Sequence, residues 1–194
     1  MVSTKNKQVF DVINEGKNFA ILTHRIPDGD AIGSSIALLN LIKKMGKKAD
    51  FLLEKTALTY VRFDMFDLEN VAEFDLKHDN YDAVFILDSS TTERLEKRFL
   101  PILNNVNKTI VIDHHVNNFI DADIKIVDES KSSTGNLIYN LIIDSHALIK
   151  SCFFSCLLII NNSLQKRIYI LMYLIIFLNY VIIFFRTNYT KNQI

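Results

Sequence analysis

A chain of 194 residues is long enough for one domain with a sizeable core, or for one domain and a fragment of another. Its formal net charge is zero, so there is no overall basic field of the kind that attracts nucleic acids or membrane surfaces. The two parts of the chain differ in charge. Residues 1–150 contain all 22 acidic residues and 18 of the 22 Lys and Arg, so their net charge is −4. Residues 151–194 have a net charge of +4. The only two cysteines, Cys152 and Cys156, specify neither a disulfide framework nor a four-ligand zinc site.

Residues 1–150 alternate short apolar runs, typical of buried strands, with longer segments of helical periodicity. This alternation predicts an α/β fold, a parallel sheet sandwiched by helices. In chain order the predicted elements are a helix over 4–15, a strand over Phe19–Leu22, a helix over Ala31–Met45, strands over Lys48–Leu53 and Ala83–Leu87, a helix over Thr91–Phe99, strands over Thr109–Ile112 and Ile124–Val127 (the last at an edge), and a helix over Ser133–Ile143 capped by Ser133 or Thr134.

Histidines and aspartates follow three of the predicted strands. In chain order these residues are His24 with Asp28 and Asp30, then Asp88, then Asp113 with His114 and His115. An aspartate at one strand end is ordinarily a helix cap or turn residue, but three such clusters at three strand ends are harder to explain in that way. Because ligands gather at the carboxyl ends of parallel strands, we expect the clusters to converge on one rim.

The chemistry of these residues favours bound metal. Two like charges as close as Asp28 and Asp30 are disfavoured unless a cation lies between them. Carboxylates combined with imidazoles suit Mn²⁺, Zn²⁺ or Fe²⁺ better than Mg²⁺. The three clusters contain more donor residues than one ion can bind, whereas two ions that share a carboxylate would use all of them.

Three segments carry a resemblance to a known family. "HRIPDGDAIGS", "ILDSS" and "VIDHH" resemble the first three motifs of the DHH phosphoesterase family, and the first and third together are specific. The resemblance covers about residues 1–150. It is strongest to the bacterial branch that degrades short oligoribonucleotides and dephosphorylates 3′-phosphoadenosine 5′-phosphate, so it implies short oligonucleotides or bisphosphorylated nucleosides as partners, with no protein partner evident.

The resemblance also implies a role for each clustered residue. One Mn²⁺ would be held by His24, Asp28 and Asp88, and a second by Asp30, Asp88 and His114, with Asp88 shared. Asp113 would orient the histidines and His115 would face the scissile phosphate. Two such ions can activate water and clamp the attacking and leaving oxygens of a phosphoester. Gly33 and Ser34, at the start of a helix, would allow a phosphate to approach, although helix packing alone also explains them.

The chain departs from the family pattern after residue 145. Family members have a fourth motif, a glycine-containing strand whose aspartate completes the second metal site, and then a smaller substrate-binding domain. No Asp, Glu, Gly or His follows His146, and Asp144 lies in a helical pattern rather than at a strand end. We therefore expect an incomplete DHH domain over 1–149, followed over 150–194 by an apolar helical tail that is not homologous to the family and is translated out of frame.

Three functions remain open at this point. The first is a two-metal phosphoesterase, cytoplasmic because the polar N-terminus lacks a signal-peptide core, and impaired by the missing parts. The second is a remnant that binds metal or nucleotide without turnover. The third is a membrane-anchored domain that uses the apolar run 168–185 as a span, since a span needs about 20 apolar residues. His78 and His146 are expected to face solvent.

Overall fold

All five apolar runs that the sequence predicts as strands are strands of one sheet. The computed structural model describes residues 3–54, 56, 57, 72, 73 and 80–145, all within one compact unit, Met1–Ile160. The strands are β1 (Asn18–Leu22), β2 (Lys48–Leu52), β3 (Ala72–Glu73), β4 (Ala83–Leu87), β5 (Lys108–Asp113) and β6 (Ile124–Val127). Their order is β3-β2-β1-β4-β5-β6, and every neighbouring pair is parallel. The predicted α/β fold with a parallel sheet is therefore confirmed.

Three α-helices in the described residues begin at polar caps, as their sequences predict. They are α1 (Thr4–Glu15), α2 (Gly29–Lys44) and α3 (Thr134–Asp144). The N-caps are Ser3, Asp28 and Ser133, and the side-chain oxygen of each accepts a backbone N–H of the first turn. Since two caps of α3 were possible from the sequence, the structure selects Ser133.

The alternation of side chains along each strand divides the core between the two faces of the sheet. Phe19 and Ile21 point to the face covered by the three helices, whereas Ala20 and Leu22 point to the opposite face. On that second face, Phe99 and Ile102 cover the sheet from a non-α segment. Both faces are buried, which explains why the central strands are continuous apolar runs.

One local prediction is wrong, and one short strand was not predicted. The expected α-helix over Thr91–Phe99 is replaced by two 3₁₀ segments, Thr92–Arg94 and Lys97–Asn104. They are interrupted because Leu95 is extended and forms an antiparallel bridge with His24. The short edge strand β3 was not predicted, since two residues are too few to show periodicity.

Several sequence predictions lie outside the described residues. They are the apolar tail over 150–194 with its proposed span at 168–185, the two cysteines, His78 and His146. Within the part of the chain that is described, no helix combines the length and the apolar character needed to cross a bilayer.

Candidate metal centre

The sheet changes direction of winding at its centre, between β1 and β4. From β1 the chain proceeds to β2 on one side, and later returns to β4 on the other side. In such sheets the crevice at the carboxyl ends of the two central strands is the usual binding site. His24 follows β1, Asp88 follows β4 and Asp113 ends β5, so the three clusters lie along this edge.

Asp88 lies at the middle of the crevice and is almost completely buried, with 1% of its surface exposed. Its backbone φ is 54°, in the left-handed region that aspartate tolerates better than most residues. Its N–H donates to the carbonyl of Ile112 at 3.1 Å, which holds the turn against β5. The turn thus fixes the position of one carboxylate between two strand ends.

Three imidazoles surround the Asp88 carboxylate. Nε2 of His24 lies 3.7 Å from Oδ2, while Nε2 of His114 lies 3.6 Å and Nδ1 of His115 lies 3.7 Å from Oδ1. The Thr134 hydroxyl donates to Oδ1 at 2.9 Å. Each oxygen of Asp88 therefore faces a different set of nitrogen atoms.

The N-terminus of α2 brings two more carboxylates to the crevice. Oδ1 of Asp28 accepts the N–H groups of Asp30 and Ala31, both at 3.0 Å, and its Oδ2 accepts no hydrogen bond from the described residues. Asp30 accepts the N–H of Thr134 on Oδ2 at 2.7 Å and the N–H of Gly135 on Oδ1 at 2.8 Å. Oδ2 of Asp30 also lies 3.7 Å from Nε2 of His114. The two aspartates therefore face different neighbours.

Asp30 and Asp88 have shifted pKa values. Burial, and then the charge of Asp88, raise the pKa of Asp30 to about 6 against the opposing hydrogen bonds from α3. Burial also disfavours the charge on Asp88, but the His24 imidazole, the Thr134 hydroxyl and the charge of His115 outweigh it and lower the pKa of Asp88. A cation between the carboxylates would remove the repulsion that disfavours ionised Asp30.

Asp113 and His115 form a contact of their own at the end of β5. Nδ1 of His115 lies 2.7 Å from Oδ1 of the fully buried Asp113. The side-chain amide of Asn118 donates to Oδ2 of Asp113 at 2.8 Å and to the carbonyl of Ser89 at 2.9 Å. Asp113 is therefore held from both sides, and Asn118 ties the loop after β5 to the loop after β4.

The donor atoms form two groups that could each hold a metal ion. Single donor atoms from His24, Asp28 and Asp88 lie within 4.8 Å of one another, and so do atoms from Asp88, His114 and His115. Asp88 belongs to both groups. Carboxylates and imidazoles together are a donor set suited to borderline divalent cations, so these residues fit such ions.

Either His115 or Asp30 could provide the third donor beside Asp88 and His114. His115 approaches Asp88 through Nδ1, but a nitrogen that donates its proton to Asp113 has no lone pair for a metal. Asp30 keeps a free lone pair on each oxygen and lies beside His114. The donor atoms within 4.8 Å of one another include His115 and not Asp30, so Asp30 as the third donor stays a prediction.

The remaining predicted residues lie in helices. Gly33 and Ser34 are buried in α2, and the Ser34 hydroxyl, with 0% exposure, donates to the carbonyl of Ala31 at 3.2 Å. Burial in α2 agrees with the packing alternative, and the phosphate role of both residues stays a prediction. Asp144, which the sequence did not favour as a ligand, accepts a hydrogen bond from Asn6 at 2.8 Å and thereby joins α3 to α1.

Two residues of the site were missed as partners of the carboxylates. The sequence predicts for Thr134 only a role as helix cap, and it predicts no role for Asn118. The signals were weak: a second polar residue at a predicted helix start, and an amide three residues after two histidines. Their partners could not be named from the sequence, because Thr134 lies 46 residues from Asp88 along the chain.

The fold and the paired His/Asp clusters define an α/β protein with a candidate metal centre at the switch point of its sheet. The family model "DHH family, N-terminal domain" matches residues 18–174, and the chain belongs to this family. The match confirms the family that the three motifs indicated. The predicted boundary at residue 149 stays a prediction, because residues 146–194 lie outside the described part.

Two curated relatives are each 33% identical to the chain. One is the uncharacterized protein MJ1633 of Methanocaldococcus jannaschii, over 126 residues, 61% of this chain and 24% of that protein. The other is the bifunctional oligoribonuclease and PAP phosphatase NrnA of Thermus thermophilus, over 122 residues, 63% of this chain and 35% of that protein. The chain thus matches between about a quarter and about a third of the length of these relatives.

A solved structure has the same fold. The exopolyphosphatase-related protein from Bacteroides fragilis superposes with a TM-score of 0.58, over 84% of this chain and 57% of that chain. Its sequence identity is 18%, so this likeness concerns the fold.

Proposed function

We propose that the chain binds two divalent cations, Mn²⁺ before other ions, and hydrolyses phosphoesters of short oligoribonucleotides or of bisphosphorylated nucleosides such as 3′-phosphoadenosine 5′-phosphate. The observation that carries the proposal is the position of Asp88, one buried carboxylate shared by two groups of donor atoms. A shared carboxylate is the arrangement that two-ion phosphoester hydrolysis uses.

Two sets of residues would hold the ions. The first is His24, Asp28 and Asp88, and the second is Asp30, Asp88 and His114. Oδ2 of Asp88 faces His24 and Oδ1 faces His114, so the carboxylate would serve one ion with each oxygen. When bound, such a pair of ions supplies positive charge for the phosphoryl oxygens and lowers the pKa of water.

Asp113 and His115 would act on the substrate side of the centre. The Asp113 carboxylate fixes the His115 ring through Nδ1, and when both ring nitrogens carry a proton Nε2 would donate to a phosphoryl oxygen. The His115 side chain is 37% exposed, so it is accessible from solvent. A fixed donor at this position would stabilise negative charge that develops on phosphorus oxygens.

The choice of substrate is supported by a relative. The bifunctional oligoribonuclease and PAP phosphatase NrnA of Thermus thermophilus is 33% identical to the chain over 122 residues. Within the described residues the second ion would have three donors, Asp30, Asp88 and His114. We therefore expect slower turnover than in a family member with a further carboxylate on that ion. The small number of donors also supports the alternative function, in which the protein binds metal ions but does not hydrolyse a substrate.

Hydrolysis by the purified full-length chain tests the proposal. With Mn²⁺ and either a 5′-phosphorylated dinucleotide or 3′-phosphoadenosine 5′-phosphate, we expect measurable release of mononucleotide or inorganic phosphate. Asp88→Asn should abolish release and reduce Mn²⁺ uptake from two ions per chain. Asp123→Asn is the matched control. Asp123 lies next to the amino ends of β5 and β6, away from the candidate metal centre, and accepts hydrogen bonds from Lys108 and Thr109.

The outcomes separate the candidate functions. Uptake of two Mn²⁺ ions without release from either substrate would favour the alternative without turnover. Absence of Mn²⁺ uptake by the wild-type chain, or uptake that Asp88→Asn leaves unchanged, would contradict both candidates.

A further inference from the structure

The first two residues of α3 donate three hydrogen bonds to two carboxylates of the candidate metal centre. The N–H of Thr134 and the N–H of Gly135 each bind one oxygen of Asp30, at 2.7 and 2.8 Å. The hydroxyl of Thr134 binds Oδ1 of Asp88 at 2.9 Å. A helix that supplies no metal donor in the described residues thus contacts both carboxylates assigned to the second ion.

The hydroxyl of Thr134 makes the shortest side-chain contact given for the Asp88 carboxylate within the described residues. The torsion that turns an aspartate carboxylate about its own bond has broad minima, so it is held only by what the oxygens contact. Around Asp88 the imidazole nitrogens lie at 3.6 Å or more, beyond hydrogen-bond distance. Thr134 alone among these contacts is a hydrogen bond, and its side chain is fully buried.

The start of α3 does not need this hydroxyl for its own stability. Ser133 caps the helix, because its hydroxyl oxygen accepts the N–H of Asn136 at 3.1 Å. The Thr134 hydroxyl has no role in that cap and is directed to Asp88 instead. The two neighbouring hydroxyls therefore have different roles: the Ser133 hydroxyl caps the helix, and the Thr134 hydroxyl donates to the Asp88 carboxylate.

We propose that Thr134 is a positioning residue of the metal centre, whose hydroxyl sets the Asp88 carboxylate so that one oxygen faces each ion. The inference rests on the proposed function in requiring that two ions share Asp88. Loss of the hydroxyl should let the carboxylate turn away from the second group, so that the second ion binds at least tenfold more weakly. Partners that orient ligands in this way typically change metal affinity by about 10–100-fold.

The test is Mn²⁺ titration of the full-length chain followed by electron paramagnetic resonance, with no substrate present. Two Mn²⁺ ions joined by a carboxylate are magnetically coupled and lose the six-line spectrum of an isolated ion. We compare wild type with Thr134→Val, which keeps the shape and removes the hydroxyl, and with Thr134→Ser, which keeps the hydroxyl. Ser133→Ala is the matched control, since it removes the cap of the same helix at a cost of about 1 kcal/mol and leaves Thr134 in place.

We expect Thr134→Val to take up one ion with ordinary affinity, to bind the second at least tenfold more weakly and to show the spectrum of an isolated ion. Thr134→Ser and Ser133→Ala should keep two coupled ions. Coupled ions in Thr134→Val, or equal losses in Thr134→Val and Thr134→Ser, would overturn the inference. Thr134→Ala repeats the comparison if Thr134→Val does not fold. A wild-type chain that binds no Mn²⁺ would instead overturn the proposed function, and this inference with it.

Discussion

Nδ1 of His115 lies 2.7 Å from Oδ1 of Asp113, a carboxylate with no exposed surface. Asp113→Asn should therefore misorient His115, because the new amide group must face either the His115 ring or the donor amide of Asn118. We expect phosphate release to fall by about 10–100-fold while Mn²⁺ uptake is kept, as for other changes in groups that orient a functional side chain. Steady-state rates and Mn²⁺ stoichiometry of the same preparation provide the measurement.

Asp123→Asn is the control for this prediction as well. Asp123 accepts two hydrogen bonds, at 2.9 and 2.8 Å, next to the amino ends of β5 and β6. A fall in phosphate release of the same size in both variants would assign the effect to stability and not to His115.

Asn118 should be energetically coupled to Asp113. Its side chain donates to Asp113 and to the carbonyl of Ser89, and accepts the N–H of Ile120 at 3.1 Å. Asn118→Ala should lower the free energy of unfolding by about 1–3 kcal/mol, since it leaves buried groups without partners. In a double-mutant cycle with Asp113→Asn, measured by urea unfolding, we expect a coupling energy of about 0.5–3 kcal/mol. Strict additivity would show that the two residues act independently.

The positions of the strands and of the clustered residues could be predicted because both depend on local sequence. A run such as Ala83–Leu87 is apolar at every position, and a strand buried on both faces requires this. In a parallel sheet, polar residues just after such runs must reach the same edge. His24, Asp88 and His114 therefore meet in the structure, although no spacing in the sequence relates them directly.

What could not be predicted depends on contacts between distant segments. Leu95 is extended because it pairs with His24, and this overrides the helical pattern of the surrounding residues. The bonds from Thr134 to Asp88 and to Asp30 span 46 and 104 residues of chain. A threonine at a helix start is common, and only the fold shows which carboxylate its hydroxyl meets.

Gly16 and Gly46 should differ in the reason that each resists substitution. A Cβ atom at Gly16 would lie 2.6 Å from Cζ of Phe19, a ring with no exposed surface, whereas a Cβ atom at Gly46 would meet nothing within 4 Å. Gly46 instead has a φ of +77°, which asparagine tolerates better than alanine. We expect Gly16→Ala to cost about 1–3 kcal/mol of unfolding free energy by overpacking, and Gly46→Ala about 1 kcal/mol by strain.

Substitution by asparagine separates the two causes in urea unfolding. Gly46→Asn should cost less than Gly46→Ala, whereas Gly16→Asn should cost at least as much as Gly16→Ala. The same ranking at both positions would contradict the distinction between overpacking and strain.

Asp82 should stabilise the fold only while it is ionised. Its Oδ2 accepts the N–H of Lys17 at 2.6 Å and the N–H of Asn18 at 2.9 Å, where α1 leads into β1. The N–H of Asn18, followed by that of Lys17, holds the pKa of Asp82 below its ordinary value. A carboxylate whose pKa is lower in the folded state contributes stability above its unfolded pKa, near 4, and loses it as the pH falls through the folded pKa.

Asp82→Asn should therefore lower the free energy of unfolding by about 1–2 kcal/mol at pH 7, since a charged acceptor is replaced by a neutral one. The difference from wild type should shrink as the pH falls below about 4, where Asp82 becomes protonated in the unfolded chain while it is still ionised in the folded protein. Urea unfolding of both proteins between pH 7 and pH 3.5 measures this. Asp11→Asn, on the exposed surface of α1, is the control and should change the free energy by less than about 0.5 kcal/mol at pH 7. A constant difference for Asp82→Asn across the whole range would show that the shape of the side chain, and not its charge, holds the turn.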